Sequence, residues 1–528
     1  MSEKSSTAKF IRGAFQVLIS TIVIKILGFI FAIPLQRIIG DAGMAYYSAA
    51  YSIYALVLQI SAAGIPLALS KLIAERLSVK DHKGAMALYV TGHRLITITG
   101  VLAFIVLFLG APLIAYIQDN KDAAISIMAI APCLLIVPHI SAMRGLLQGH
   151  QYVGKSSNSQ VWEQLIRVLT ILVGAWAVFH WTHSIVWAAA AASFGAVTGA
   201  IAAWVSLRLS LIQLKIETKQ LPRPQKKLVK VIIETSIPVS LASLVLPFSQ
   251  FIDSLSVIRL LEMHGIDLQH SVKFYGMLTQ ALRIQGLPLA FATAIGLSCI
   301  PAIAHAYVRK EHHTVEQQVN LALRFTTILT IPAAVIFIVL AKPIAILFTQ
   351  TASAWAVFAA ISLMAIFAAL EMTTTYILQA SGKFLRPVRN MLIGLGIKLI
   401  ANVIVIPMIG LFGAAVATVI GYAVSSTLNL LAVRRYTNTR LDTGLIFVRP
   451  FFTSLPMWLV MFVIHSLLIP HLAKYLPPAF ATIFDIGITG IAGGYTYLLV
   501  ARIFGVISQM EIQKMPIINR LLPKHLRV

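Results

Sequence analysis

Fourteen stretches of this chain are apolar enough, and long enough, to cross a bilayer, and no other feature limits the fold so tightly. They lie near residues 12–39, 44–70, 86–117, 122–147, 159–181, 184–207, 229–261, 273–307, 321–349, 353–380, 387–409, 411–433, 447–470 and 479–505. About 20 apolar residues cover the hydrocarbon core, so fourteen crossings take up roughly 280 residues. A chain of 528 residues that is 58% hydrophobic and only 11% charged supplies that amount. Soluble domains carry about 25% charged residues. Inside lipid every backbone N–H and C=O must be bonded within its own segment, which makes such runs helices. The expected fold is therefore an all-α polytopic membrane protein with 14 transmembrane helices.

The formal charge of +24, from 42 Lys+Arg against 18 Asp+Glu, would suggest nucleic acid in a soluble chain. Its placement gives another reading. With the N-terminus inside, one set of connections holds Lys71, Arg76, Lys80, Lys83, Arg144, Lys155, Lys215, Lys219, Arg223, Lys226, Lys227, Lys230, Arg309, Lys310, Lys383, Arg386, Arg389, Arg434, Arg435 and Arg440. The opposite set holds few cations: Arg37, Lys121, Arg259, Lys273, Lys342 and Lys474. That asymmetry orients a multi-pass protein with both termini in the cytoplasm, and most of the charge needs no nucleic acid. The polar segment Met1–Phe10 runs straight into an apolar stretch too long for a signal-peptide core, so the first span is expected to act as its own insertion signal.

The chain repeats itself. Gly64-Ile65-Pro66-Leu67-Ala68 returns as Gly286-Leu287-Pro288-Leu289-Ala290, an offset of 222. Arg94 and Pro112 return as Arg324 and Pro343, at 230 and 231. Gln148, followed nineteen positions later by Arg167, returns as Gln379 and Lys398, again at 231. Constant order and offset predict a parallel internal repeat of two six-helix lobes, with two extra C-terminal helices. The expected organisation is an N-terminal lobe over 1–210, a basic linker over 211–228 marked by Pro222 and Pro224, a C-terminal lobe over 229–440, and spans 13–14 with a basic tail over 441–528. Two like bundles around a central space suit an alternating-access transporter, with Gly64, Pro66, Gly286 and Pro288 placed where helices could bend.

Ionisable groups deep in a span must be paired or face a wet cavity. Glu163 and Arg167 share one face of span 5 at i and i+4. Glu371 and Lys398 come out at similar depth in the second lobe, as do Asp253 and Arg283. The first two read as bundle-internal ion pairs that fix register, while Asp253 with Arg283 is as open to a functional role as to a structural one. Lys25 stands midway along span 1 with no acid of its own. It either shares Glu163, snorkels to an interface, or faces an anionic ligand. If spans 1, 2, 7 and 8 line the cavity, Lys25 and Arg283 confront one another, with Arg37 and Arg259 nearer the outer mouth. Such a cavity suits a phosphate or diphosphate.

The sequence holds no Gly-rich phosphate loop and no His-Glu-x-x-His helix. Cys133 and Cys299 fall within apolar runs, as small core residues do. The His180/His183 and His312/His313 pairs fall in short loops without a carboxylate or Cys cluster, so no metal site is expected. No cofactor is expected either, and no catalytic residue.

Three stretches carry a family pattern: Gly40-Asp41-Ala42-Gly43 through Tyr46-Tyr47, Tyr51 and Tyr54 to Gly64-Ile65-Pro66 and Ser70-Lys71; Arg144-Gly145-Leu146-Leu147-Gln148-Gly149-His150 with Ser159 to Gln164 and Arg167; and Gln379-Ala380-Ser381-Gly382-Lys383 with Lys398, Asn402 and Pro407. Together they resemble the MurJ-type lipid II flippases and the related stage V sporulation protein B group, over essentially the whole chain. The resemblance implies the multidrug/oligosaccharidyl-lipid/polysaccharide exporter fold in the bacterial cytoplasmic membrane. It implies movement of an undecaprenyl-diphosphate-linked sugar from inner to outer leaflet, a lipid-tail groove along spans 13 and 14, and a link to cell-wall synthesis machinery. It also implies that Lys25 and Arg283 are the cavity cations. Relatives usually carry Arg in span 1, so Lys25 departs from the pattern and loses the bidentate fork. Driving force would come from the membrane potential or a coupled cation. A flippase for another lipid-linked polysaccharide precursor stays open as a reading. So does a cation-coupled multidrug exporter, which would favour an acidic, aromatic cavity.

Overall fold

The computed structural model describes residues 23–24, 27–28, 31–62, 64–214, 222–243, 245–468 and 477–507. Within them the chain is helical, with no strand. Ten helices among the described residues are long and apolar enough to cross a membrane, and several further segments are broken helices. The protein is a multi-pass membrane protein.

Two compact units divide at Thr279/Gln280. The first contains α1 (Ala32–Ala62), α2 (Ile65–Ser78), α3 (His82–Ile117), α4 (Ala123–Ile130), α5 (Cys133–Gly149), α6 (Val153–Thr182), α7 (Ile185–Gln213), α8 (Lys226–Ser243), α9 (Val245–Met263) and most of α10 (Leu268–Ile284). Within this unit α8 packs on α2 and α3, and α9 on α1.

Helix α3 shows how lipid replaces water as solvent. Its buried face holds Ile96, Gly100, Leu107 and Ala111. Its outer face presents Leu102, Val106, Leu109 and Leu113, each more than half exposed. That stripe, at i, i+4, i+7 and i+11, is a helical face with no polar side, and only hydrocarbon can cover it without cost. Trp181 and Trp187 are exposed on either side of the turn between α6 and α7, where indole rings favour a membrane–water interface.

Helices end for local reasons. Gly40 adopts φ 64° and ψ −175° inside α1, a backbone only glycine takes without strain, and there the chain turns from one span to the next. Gln36 Nε2 donates to Asp41 Oδ1 across that turn at 2.6 Å. Asp267 caps α10: its Oδ2 accepts from the His270 backbone N–H at 3.2 Å and its Oδ1 meets His270 Nδ1 at 2.6 Å. Those hydrogen bonds hold the exposed Asp267 carboxyl below the usual aspartate range. The cap is therefore complete above the ordinary aspartate pKa and is lost as pH falls through the lowered value.

The second unit contains α11 (Gly286–Val308), α12 (His312–Val339), α13 (Ala341–Thr349), α14 (Trp355–Ala380), α15 (Leu385–Ile409) and α16 (Leu411–Thr437). After these come α17 (Arg449–Val463), flanked by π-helical turns Gly444–Val448 and Ile464–Leu468, and α18 (Pro478–Ile503). Helix α14 packs on α11, α12 and α16, and α17 pairs with α18. Small residues set the closest approach. A Cβ on Gly394 of α15 would stand 2.5 Å from the Gly421 carbonyl oxygen of α16, and one on Gly421 would stand 2.8 Å from the Lys398 Cβ. Such backbone contact is how helices associate where burial from water offers no drive.

Gly394→Val should therefore lower the thermal midpoint of the purified protein, at an overpacking cost of about 1–3 kcal/mol. Gly396→Val, two residues on and with nothing within 4 Å of its Cβ, should leave the midpoint unchanged. Equal shifts for both variants would contradict the close contact.

Candidate functional site

The most heavily charged locus described inside a span lies in the first unit, on α5 and α6. Glu163 Oε1 accepts from Arg167 NH2 at 2.7 Å, one turn along α6, and its Oε2 accepts from Arg144 NH2 of α5 at 2.8 Å. Arg144 Nε also donates to Ser159 Oγ at 3.1 Å, and that hydroxyl donates to the Ser156 carbonyl at 2.6 Å. The three charged side chains are 17–20% exposed. Arg167 Nε is buried without a hydrogen-bond partner. One carboxylate thus holds two guanidiniums, and the cluster carries a net charge of +1.

Sequence spacing points to the Glu163–Arg167 half of this arrangement and misses Arg144. The signal available was the hairpin: α5 and α6 are joined by a short turn, so Arg144 and Glu163 lie near the same end of both helices, within reach of a long side chain. The helix α7 glycines close the cluster from behind. A Cβ on Gly199 would stand 2.7 Å from the Glu163 carbonyl oxygen and 2.9 Å from the Arg167 Cβ.

An aromatic ladder runs along α1 beside the cluster. Phe31 meets Tyr47 edge-on, Tyr47 stacks on Tyr51 at 6.3 Å and 15°, and Tyr51 meets Tyr54 at 6.1 Å. Tyr54 Oη lies 3.1 Å from Cys133 Sγ, which donates to the Ala196 carbonyl. Tyr51, Tyr54 and Cys133 lie within electrostatic range of Arg167. Cys133 is fully buried in the core of this unit.

The expected cavity cations fall in different settings. Lys25 lies outside the described residues. Gly28, three positions after it in sequence, stands beside Gln164 of α6, with its Cβ position 3.6 Å from Gln164 Nε2. Arg37 is exposed. Arg259 is already engaged: its Nε lies 2.8 Å from Asp119 Oδ2 and its NH2 donates to Oδ1 at 3.2 Å. Asp253 is buried at 3% exposure beside Tyr275 of α10. Arg283 occupies the last turn of α10 and is half-buried.

In the second unit Glu371 of α14 is 6% exposed. Its Oε1 accepts from Thr375 Oγ1 at 3.0 Å, one turn along the same helix. Lys398 is 1% exposed, with its stem against Gly421 of α16. From Glu371 a polar chain continues: Asn429 Nδ2 donates to Thr375 Oγ1 at 3.3 Å, and Asn390 Nδ2 donates to Asn429 Oδ1 at 2.9 Å. Sequence reasoning also overlooked Asp485 of α18. It is buried, with Oδ2 2.8 Å from His465 Nδ1 and Oδ1 accepting from Thr489 Oγ1 at 2.9 Å.

Both Gly-x-Pro motifs stand at helix breaks. Gly64 is the N-cap of α2 with Pro66 in its first turn. Gly286 opens α11 two positions after α10 ends at Ile284, with Pro288 just inside. A Cβ on Gly145 of α5 would stand 3.0 Å from the Pro66 carbonyl oxygen, so α5 seats directly on the first break. Among the described residues no three His, Cys, Asp or Glu side chains converge to hold a metal.

Glu163→Gln leaves two neighbouring cations uncompensated in a half-dry site, where breaking a buried pair costs about 3–5 kcal/mol. The single variant should lose thermal stability, and Arg144→Gln/Glu163→Gln should recover part of it. A double variant less stable than the sum of the two singles would contradict a shared carboxylate.

Known proteins resemble this chain along most of its length. A sequence profile described as "Polysaccharide biosynthesis protein" matches residues 10–307, and one described as "MatE" matches residues 238–408. The lipid II flippase MurJ of Bacillus subtilis (strain 168) is 29% identical over 457 residues, 81% of this chain and 83% of that protein. Stage V sporulation protein B of the same organism is 26% identical over 533 residues, 97% and 99% of the two chains. Among solved structures, "Lipid II flippase MurJ, inward closed conformation" superposes with a TM-score of 0.68 at 17% identity, covering 94% of this chain and 98% of that one. An inward-facing multidrug resistance MATE family transporter gives 0.64 at 16% identity, covering 80% and 98%. The chain thus has the fold shared by these flippases and exporters.

Proposed function

Because the chain belongs to the polysaccharide biosynthesis protein family, whose profile covers residues 10–307, we propose that it is a flippase for lipid II. It would carry this undecaprenyl-diphosphate-linked peptidoglycan precursor from the inner to the outer leaflet of the bacterial cytoplasmic membrane. The observation that supports an anionic cargo most directly is the Arg144–Glu163–Arg167 cluster, where two guanidiniums share one carboxylate inside a span. A net positive charge in that setting is costly unless an anion visits. An exporter of cations would keep the opposite excess.

In this reading fourteen spans form two six-helix lobes with a C-terminal pair. The diphosphate is held by Lys25 and Arg283, with Arg37 and Arg259 toward the outer mouth. Arg144 and Arg167 raise the positive potential of the first lobe's wall, and the exposed ring of Tyr51 offers an apolar face to a sugar. The prenyl tail stays in lipid along the last two spans. The breaks at Gly64-Pro66 and Gly286-Pro288 are where the lobes flex as the site alternates between faces.

The cycle runs on the membrane potential or a coupled cation, since the sequence contains no nucleotide-binding motif. Each charge carried across 100 mV is worth about 2.3 kcal/mol, and loading an anion into a cationic site changes the charge that moves. Glu371 is the buried carboxylate best suited to a coupling cation, because Thr375 is its hydrogen-bond donor and no described ion pair neutralises it.

A second reading, a flippase for a different lipid-linked polysaccharide precursor, is favoured by the more complete match to stage V sporulation protein B, 97% of this chain.

A strain depleted of its other lipid II flippases separates these readings. The wild-type chain should restore growth and prevent lipid II from accumulating in the inner leaflet. Lys25→Ala/Arg283→Ala should reach the membrane in normal amount yet fail to do so. Full complementation by the double variant would overturn the assignment of those cations, and failure of the wild-type chain would favour the second reading.

A further inference from the structure

The end of the second unit that the charge rule assigns to the cytoplasm holds a recess that the transport reading does not use. Its volume is about 290 Å³, and it is lined by Thr427, Leu430, Leu431 and Arg434 of α16 and by Arg440, Leu441 and Thr443 of the connection to the next span. Two guanidiniums and two hydroxyls share the cavity with three leucines. No carboxylate lines it, and neither Arg434 nor Arg440 has an ion-pair partner among the described residues.

The connection that carries Arg440 is held rather than draped. Asn320 of α12 grips it at two points: Nδ2 donates to the Arg440 carbonyl at 3.0 Å, and Oδ1 accepts from the Asp442 N–H at 3.1 Å. Asn438 ends α16 in the left-handed region at φ 53°. The Thr437 and Thr439 hydroxyls meet at 2.6 Å, and Asp442 Oδ1 accepts from the Leu445 N–H at 3.0 Å. A backbone fixed this way holds Arg440 opposite Arg434 before any ligand arrives, which lowers the ordering cost of binding.

A neighbouring recess of about 500 Å³ lies on the other side of Arg440 and Leu441, lined among others by Glu316, Arg324 and Asp442. Its carboxylates balance its guanidiniums, so it offers an anion nothing comparable. The smaller recess also stands at the edge of the lipid-facing surface, where Leu431 is 57% exposed and Val448, Phe451 and Phe452 are 48%, 54% and 61% exposed. Lys383 and Arg386 stand over the Tyr436 ring, 5.2 and 5.3 Å from its centroid, and add to the positive field at the same helix end.

We propose that the Arg434–Arg440 recess binds the phosphodiester headgroup of an anionic phospholipid of the adjoining leaflet. The guanidiniums take the phosphate as forks, Thr443 and Thr427 face the glycerol oxygens, and Leu430, Leu431 and Leu441 meet the start of the acyl chains. A free phosphate ion would leave those leucines and most of the volume unused. Basic pockets at the cytoplasmic ends of membrane helices recognise lipid headgroups by this chemistry. The site tethers the second unit to charged lipid through groups that never enter the transport path.

Purified full-length protein in a neutral detergent, titrated with phosphatidylglycerol or phosphatidylcholine and read by native mass spectrometry, tests the proposal. The wild-type protein should prefer phosphatidylglycerol. Arg434→Gln and Arg440→Gln should each weaken it about fivefold, and the double variant more than either single. Arg440→Lys should lose less than Arg440→Gln, because it keeps the charge and gives up the fork. Arg435→Gln, which removes the same charge from an exposed residue outside the recess, should have little effect. Equal losses for Arg434→Gln and Arg435→Gln would overturn the proposal in favour of a diffuse basic surface. Displacement of the lipid by millimolar inorganic phosphate would overturn it in favour of a free-anion site.

Discussion

A charge inside hydrocarbon costs about 2.5–3.5 kcal/mol even by the mildest scales, and the architecture of the first unit follows from how that cost is met at Glu163. One carboxylate is held between Arg144 and Arg167 at 2.8 and 2.7 Å. For both guanidiniums to reach it, α5 and α6 must stay in one register. For α7 to cover it, Gly199 must have no side chain. The result is a net-positive cluster beside the α1 tyrosine ladder.

The second unit meets the same constraint differently. Its buried carboxylate, Glu371, is served by hydroxyl and amide groups, and Thr375, Asn429 and Asn390 continue the hydrogen-bonded chain. Neutral donors stabilise a carboxylate less than a guanidinium does. The described polar partners thus differ between the units: two guanidiniums hold Glu163 in the first, and a hydroxyl donates to Glu371 in the second.

Much of this was legible in the sequence because lipid imposes simple rules. Apolar runs near 20 residues long had to be helices, and ten helices among the described residues are long and apolar enough to cross a membrane; the family followed from three short stretches around Gly64, Arg144 and Gln379. The Gly-x-Pro motifs marked helix breaks because proline cannot donate to the preceding turn. Spacing along one helix pointed to the Glu163–Arg167 pair, since i and i+4 share a face. What depth alone could not give was partnership across helices. Arg144 was read as a loop cation although its side chain reaches back into the span. The His465–Asp485 pair joins two helices whose rotation no single-helix pattern fixes.

In the proposed function, positive charge in the membrane serves an anionic, lipid-linked cargo. The most direct measurement is transport itself, with the purified protein in liposomes holding lipid II in both leaflets and an external reagent that reports the exposed fraction. With a membrane potential imposed, wild-type protein should bring labelled lipid II to the accessible leaflet, and replacing Lys25 and Arg283 with neutral residues should stop it. Transport by the neutralised protein at the wild-type rate would contradict the account.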